Sequence, residues 1–198
     1  MVVQETRKAL ILVKILVGIS GSIGVVGIHF YLINLLLEKE VEEVNAIMTP
    51  TAARFLSPRS LEVYTGRPVH VDPWTDPGPM FAPPELVKGV DLYLVAPASA
   101  TTLSRCAAGS AETLVTNCYL CHTGPVAFAP SMSPEMLEHP AVRRNLDRLK
   151  EFGACILPQG EGFSVAARKV QKSSMCSYSQ MWPQLRALAQ KSKEGQTQ

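Results

Sequence analysis

Small and hydroxyl-bearing residues recur at three places in the chain. They are Gly18-Ile19-Ser20-Gly21-Ser22-Ile23-Gly24, Thr49-Pro50-Thr51-Ala52-Ala53 and Pro97-Ala98-Ser99-Ala100-Thr101-Thr102. Hydroxyls donate and accept hydrogen bonds, and glycine lets a ligand or a second stretch of backbone come close. Where such a turn opens a helix, unpaired N–H groups and the helix dipole stabilise a phosphate. The first run has neither the G-x-G-x-x-G dinucleotide spacing nor the Gly-Lys-Ser/Thr of a Walker loop. A mononucleotide phosphate is the more economical ligand for it, and a mere tight turn is the alternative. Pro97 to Thr102, taken alone, also reads as a strand-to-helix turn with a Ser or Thr N-cap.

Other reactive side chains point less clearly to chemistry. His70 and Asp72 lie close together in a loop, where such a pair is more often a solvated turn than an acid–base couple. Cys118-Tyr119-Leu120-Cys121 followed by His122 is formally a C-x-x-C, open to redox, metal or haem readings. No second ligand pair accompanies it and the stretch is apolar, so buried thiols acting as small hydrophobes are expected, with no metal. Five cysteines, an odd number without a disulfide-framework spacing, fit a reducing compartment.

The elements that must position these residues follow from periodicity. Lys14 to Val17 reads as a strand, the Gly18 run as a loop, and the next stretch as a helix to about Glu40. Val44 to Met48 reads as a second strand, followed by a short helix around Ala53 to Leu56 and a helical piece within Ser57 to Gly66. Six prolines between Pro68 and Pro84 mark a loop, with Trp74, Met80 and Phe81 as apolar anchors. Val90 to Val95 has the apolar continuity of a central parallel strand, so Pro97 to Thr102 falls at its carboxyl end, where open α/β sheets bind ligands. Helices are expected over Leu103 to Ala108, ended by Gly109, and over Glu112 to Leu120. A strand over Pro125 to Ala129 and a helix opened by His139-Pro140 and closed by Gly153 follow. Ala154 to Pro158 reads as a last strand and Gln159 to Phe163 as a flexible loop over a ligand. The rest reads as helix to about Gln190 and a disordered tail from Lys191 to Gln198.

The chain has 198 residues, 46% hydrophobic and 18% charged, with a formal net charge of +2. That composition supports a core and gives no electrostatic case for nucleic acid. The apolar run from Ala9 to Leu37 resembles a signal or a membrane span superficially. Lys14 and the glycines at 18, 21, 24 and 27 interrupt it, so a strand, a turn and a helix in a cytoplasmic protein with no membrane association are expected.

Together, the Gly18 to Ile23 run, Thr49 to Ala52, Pro97 to Leu103 with Gly109, and Pro130-Ser131-Met132-Ser133 resemble the homo-oligomeric flavin-containing cysteine decarboxylases. Within that group the chain is similar to the peptidyl-cysteine decarboxylases of lantibiotic, linaridin and thioviridamide-type peptide biosynthesis. The resemblance runs from about residue 14 to 158, and its most specific part is the P-A-S-A motif after a buried strand. It implies an α/β, Rossmann-like (flavodoxin-like) three-layer sandwich with a central parallel sheet, one flavoprotein domain over 1–190. It further implies trimers, often dodecamers, with FMN rather than FAD at a subunit interface. Gly18, Ser20, Gly21, Ser22, Ile23, Thr49 and Thr51 correspond to cofactor-binding positions, with Ser20, Ser22 and Thr49 or Thr51 near the phosphate. Pro97, Ala98, Ser99, Ala100 and Thr102 correspond to the flavin side. The implied substrate is a precursor peptide ending in cysteine, whose CH₂–SH is oxidised to a thioaldehyde that accepts the electrons left by departing CO₂, giving an enethiol.

The chain departs from the family pattern where the reaction would occur. Thr101 stands in place of Asn, and Glu112-Thr113 in place of Asp-Asn. Pro130-Ser131-Met132-Ser133-Pro134-Glu135-Met136-Leu137 replaces P-x-M-N-x-x-M-W, so Met132 and Ser133 stand in the substrate-recognition motif and Ser133 lacks an amide. A catalytic His is implied about eight residues before Asp91, where the chain has Ala82 or Pro83. Natural loss, compensation by His70 and engineered replacement each fit that vacancy. The related phosphopantothenoylcysteine decarboxylases reduce the enethiol with a cysteine in an Ala-Cys-Gly loop; no such tripeptide occurs here, which favours the oxidative outcome. A flavin prenyltransferase, a small-thiol decarboxylase and a catalytically silent flavin-binding subunit are the alternatives.

Overall fold

The computed structural model of the protein describes residues 12–71, 82–164 and 167–196. Trp74, Met80, Phe81 and Asp72 lie outside them. β1 (Val13–Ile19) is followed by a 3₁₀ turn (Ile23–Gly27), α1 (Ile28–Leu37), β2 (Val41–Met48), α2 (Pro50–Ala53) and α3 (Pro58–Thr65). Next come α4 (Pro83–Val87), β3 (Leu92–Ala98), α5 (Ala100–Ala108), α6 (Leu114–Cys121), β4 (Val126–Pro130), α7 (Pro134–Glu138) and α8 (Pro140–Glu151). β5 (Cys155–Ile156), β6 (Gln159–Ser164), β7 (Lys169–Met175) and α9 (Tyr178–Gln196) complete it.

Five strands pair in parallel in the order β2-β1-β3-β4-β5. The side chains of the inner strands β1, β3 and β4 are buried on both faces, which is why these read as apolar runs rather than alternating ones. Val13, Ile15, Val17 and Ile19 of β1 pack with Ile28, Leu32 and Leu35 of α1, Leu61 of α3, and Met181 and Leu185 of α9. Leu16, Tyr93, Val95 and Phe128 face the opposite layer, built from Leu103 of α5, Val115 of α6 and Leu146 and Leu149 of α8. The α/β parallel sandwich is borne out.

The chain passes from β1 outward to β2 and then returns across β1 to β3. Strand order therefore reverses between β1 and β3, the place where an open sheet leaves a crevice beyond its carboxyl ends. Ser20 Oγ closes that crevice from below, donating to Pro97 O at 2.7 Å and accepting from Ser99 N at 2.8 Å.

Several element boundaries differ from those expected. α1 stops at Leu37, and β2 starts at Val41, three residues before the expected Val44. The short helix after β2 begins at Pro50, because Thr49 Oγ1 accepts from Ala52 N and caps it there. Gln159 to Phe163 is not a free loop: it lies in β6, paired antiparallel with β7. The residues after it are not all helix, since Lys169 to Met175 form the partner strand. Gly160 and Gly162 serve close packing there; a Cβ on Gly162 would meet Ser174 Oγ at 1.8 Å. α9 continues through Gln196, past the residue where a tail was expected. Among the described residues no helix is long and apolar enough to cross a membrane.

Candidate functional site

At the β1/β3 switch point a cleft of about 170 Å³ is lined by Gly21, Thr49, Thr51, Ser99, Thr102 and Arg105, with Thr113 at the start of α6. β1, β2 and β3 each deliver one turn to it. Ser99 caps α5, its Oγ accepting from Thr102 N at 3.3 Å and meeting Thr102 Oγ1 at 3.2 Å. Gly21 is pressed onto the second turn, since a Cβ there would meet Thr51 Cγ2 at 2.4 Å. Among the described residues no carboxylate lines the cleft, and one guanidinium does. Arg105 also pairs with Glu112 at 2.7 Å. The donor set is hydroxyls, a helix N-terminus and a cation, which fits the phosphate end of a nucleotide-type cofactor.

The cleft brings together five of the sequence-derived cofactor residues: Gly21, Thr49, Thr51, Ser99 and Thr102. Others serve the framework. Ser20 is fully buried and its hydroxyl is committed to β3. Ser22 Oγ donates to Ser131 Oγ at 2.8 Å, tying the glycine loop to the Pro130–Ser133 loop. Gly18 leaves room for Tyr93, whose phenol would lie 2.4 Å from a Cβ there and which donates to Val115 O at 2.8 Å. Ile23 is half exposed, Pro97 and Ala98 are buried within β3 or its end, and Ala100 is the first residue of α5. Arg105 and Thr113 were missed by sequence reasoning. The signal for Arg105 was its position one helical turn beyond Thr102, on the same face of α5.

The candidate catalytic residues do not line this cleft. Ala82 and Pro83 form the N-terminus of α4, with Cys118 Sγ 3.9 Å from Pro83 O. His70 extends the sheet edge beside β2, where its carbonyl accepts from Met48 N at 2.8 Å. Met132 is buried and its carbonyl accepts from Gln159 Nε2 at 2.9 Å. Ser133 caps α7, accepting from Met136 N. None of the four histidines lines the cleft. Cys118 and Cys106 are buried, and burial pushes both thiols up to about 12, so they are protonated packing groups at neutral pH.

A doubly flanked parallel sheet with a phosphate-type crevice at its switch point defines a nucleotide-cofactor-binding α/β protein. The chain belongs to the Flavoprotein family, whose pattern matches residues 4–185. It is 33% identical over 154 residues to the coenzyme A biosynthesis bifunctional protein CoaBC of Bacillus subtilis (strain 168), covering 76% of this chain. The chain spans only 37% of that protein's length. Its structure is similar to that of the FMN-dependent cysteine decarboxylase SpaF, with TM-score 0.78 and 29% identity, covering 91% of this chain and 99% of that one. It is also similar to the FMN-dependent cysteine decarboxylase TvaF from thioviridamide biosynthesis, with TM-score 0.65 and 27% identity over 91% and 97% of the two chains. These likenesses bear out the resemblance to flavin-containing cysteine decarboxylases.

Proposed function

We propose that the protein binds FMN and oxidatively decarboxylates the C-terminal cysteine of a precursor peptide to an enethiol. The observation that carries this reading is the cleft at the β1/β3 switch point, which gathers hydroxyls and the α5 N-terminus and, among the described residues, has no lining carboxylate. Gly21, Thr49 and Thr51 hold the phosphate, and Ser99 and Thr102 lie along the flavin ring. Bound FMN supplies the oxidising power for the CH₂–SH group. None of the five cysteines lines the cleft, which supports an oxidative end product over re-reduction by a protein thiol.

The cleft's 170 Å³ is below the roughly 300–1,000 Å³ typical of ligand sites, which supports a site shared between chains. A second copy completes the site, in a trimer that assembles further into a dodecamer.

The test is incubation of the FMN-loaded protein with a peptide ending in Cys, followed by mass spectrometry. The expected product is lighter by CO₂ and two hydrogens. If the wild type and its Ala82→His and Pro83→His variants all yield none, the reading is wrong. The identity to CoaBC favours a second reading, decarboxylation of phosphopantothenoylcysteine, which the same assay separates by substrate. Ala82 or Pro83 at the position of the implied base favours a third, a silent flavin-binding subunit; it predicts FMN uptake without turnover of either substrate.

A further inference from the structure

Hydroxyls line much of the cleft at the β1/β3 switch point, among them those of Thr49, Thr51, Ser99, Thr101 and Thr102. A neutral hydroxyl binds a phosphate or an alcohol, so this part of the lining does not tell one from the other. Among the described residues Arg105 is the only charged side chain lining the cleft. The choice between a charged and an uncharged cofactor therefore falls to it.

A structural role accounts for part of this arginine. It stands in the last turn of α5, where a cation complements the helix dipole, and it pairs with Glu112 at 2.7 Å. A side chain turned fully to solvent would meet both needs. Arg105 is instead 36% exposed and lines the cleft, because helical side chains lean toward the N-terminus and carry it over the turn of Thr101 and Thr102. Glu112 is steadied by Ser110 Oγ, which donates to its Oε1 at 2.9 Å, and its Oε2 meets Nη2 of the guanidinium. A guanidinium has five N–H donors, so this pairing leaves donors for an anion in the cleft. The same carboxylate lowers the positive potential that the anion would meet.

We propose that Arg105 reads the cofactor's phosphate, selecting FMN over riboflavin, and that Glu112 weakens that selection by competing for the guanidinium. A phosphomonoester accepts paired, charge-assisted hydrogen bonds from an arginine, whereas the hydroxyl of riboflavin in its place brings no charge. The assignment rests on the FMN reading above and deepens it by naming the group that discriminates between flavins.

The test is fluorescence titration of the intact, flavin-free chain with FMN and with riboflavin. Wild type should bind FMN at least about tenfold more tightly than riboflavin, the usual scale of a hydrogen bond to a charged group. Arg105→Met should remove that preference by weakening FMN while leaving riboflavin nearly unchanged, and Arg105→Lys should restore part of it. Arg105→Gln serves the same purpose if the methionine variant does not fold. Glu112→Gln should tighten FMN about threefold, the scale of an exposed ion pair, and leave riboflavin alone. The opposite signs distinguish a ligand-reading arginine from a structural pair, whose loss from either side would weaken both flavins alike. An FMN preference that survives in Arg105→Met, or Arg105 and Glu112 variants that shift FMN in the same direction, overturns the assignment and leaves the FMN reading standing. The expected pattern without decarboxylation of Cys-terminated peptides supports the assignment and counts against the reaction. Absence of FMN binding to the wild type overturns both.

Discussion

Ala82 or Pro83 stands where the family resemblance implies a histidine base, and none of the chain's histidines lines the cleft. In the reaction proposed above, with no histidine at the cleft, the substrate cysteine would ionise by itself, and a free thiol of pKa about 8.5 is only a few per cent thiolate at pH 7. Wild-type turnover should therefore rise nearly tenfold per pH unit from pH 6 to 8 and flatten near the thiol pKa. Pro83→His should raise the rate at pH 7 by roughly 10²–10⁴, the usual contribution of a positioned base, and move the plateau to lower pH. Pre-steady-state kinetics with a Cys-terminated peptide measures both quantities. A Pro83→His enzyme as slow as wild type, with correct FMN uptake, would refute the assignment of position 83. Proline at the first turn of a helix is well tolerated because its missing N–H would have been unpaired, so α4 gives no structural reason for a histidine there.

α5 illustrates how an element can be read from sequence and tested as a unit. Ser99 caps it and Gly109, at φ 70°, ends it in the left-handed conformation that glycine favours. Ser99→Asp should preserve the cap, since Asp caps as well as Ser, while setting a solvent-seeking carboxylate against the flavin ring in the proposed site. Thermal or urea unfolding should change by less than about 0.5 kcal/mol, and the FMN dissociation constant should rise at least tenfold in a fluorescence titration. Unchanged FMN affinity would remove Ser99 from the site. Caps, glycine stops and double-faced apolar strands were legible because their causes are local. The β6–β7 hairpin was not, because Gln159-Gly160-Glu161-Gly162 has neither alternation nor β-branching and becomes a strand only by pairing with Lys169–Met175. Nor was the direction of the hydroxyls legible: Ser20 and Gly21 are neighbours, yet only Gly21 lines the cleft.

Packing of the whole chain sets two further behaviours, one in acid and one in assembly. His122 stacks edge-on against Tyr93 at 6.0 Å, its Nε2 is buried with no hydrogen-bond partner among the described residues, and burial pushes its pKa down against the opposing pull of the Pro125 backbone and Asp91. The unfolded chain thus binds the proton more readily than the folded one. The stability this provides is complete above pH ~6.5, the unfolded value, and is lost as pH falls through the lower folded value. Urea unfolding from pH 8 to 5 should show wild-type stability declining below about 6.5 and His122→Phe declining less; parallel curves would exclude His122 as a source. Assembly follows from a different surface. Ile23, Val26, Phe30 and Leu37 are 51%, 53%, 55% and 75% exposed, spaced so that they share one side of the 3₁₀ turn and α1. Four large apolar groups in water make this side of α1 the face that a second copy would cover in the proposed oligomer. Phe30→Glu should reduce the mass measured by light scattering toward that of a single chain and release FMN on gel filtration. Phe163→Glu, an equally exposed aromatic position on β6, should leave both unchanged. A wild-type protein that already runs as a monomer with FMN bound would exclude a shared site, because the cofactor would then be held by one chain alone.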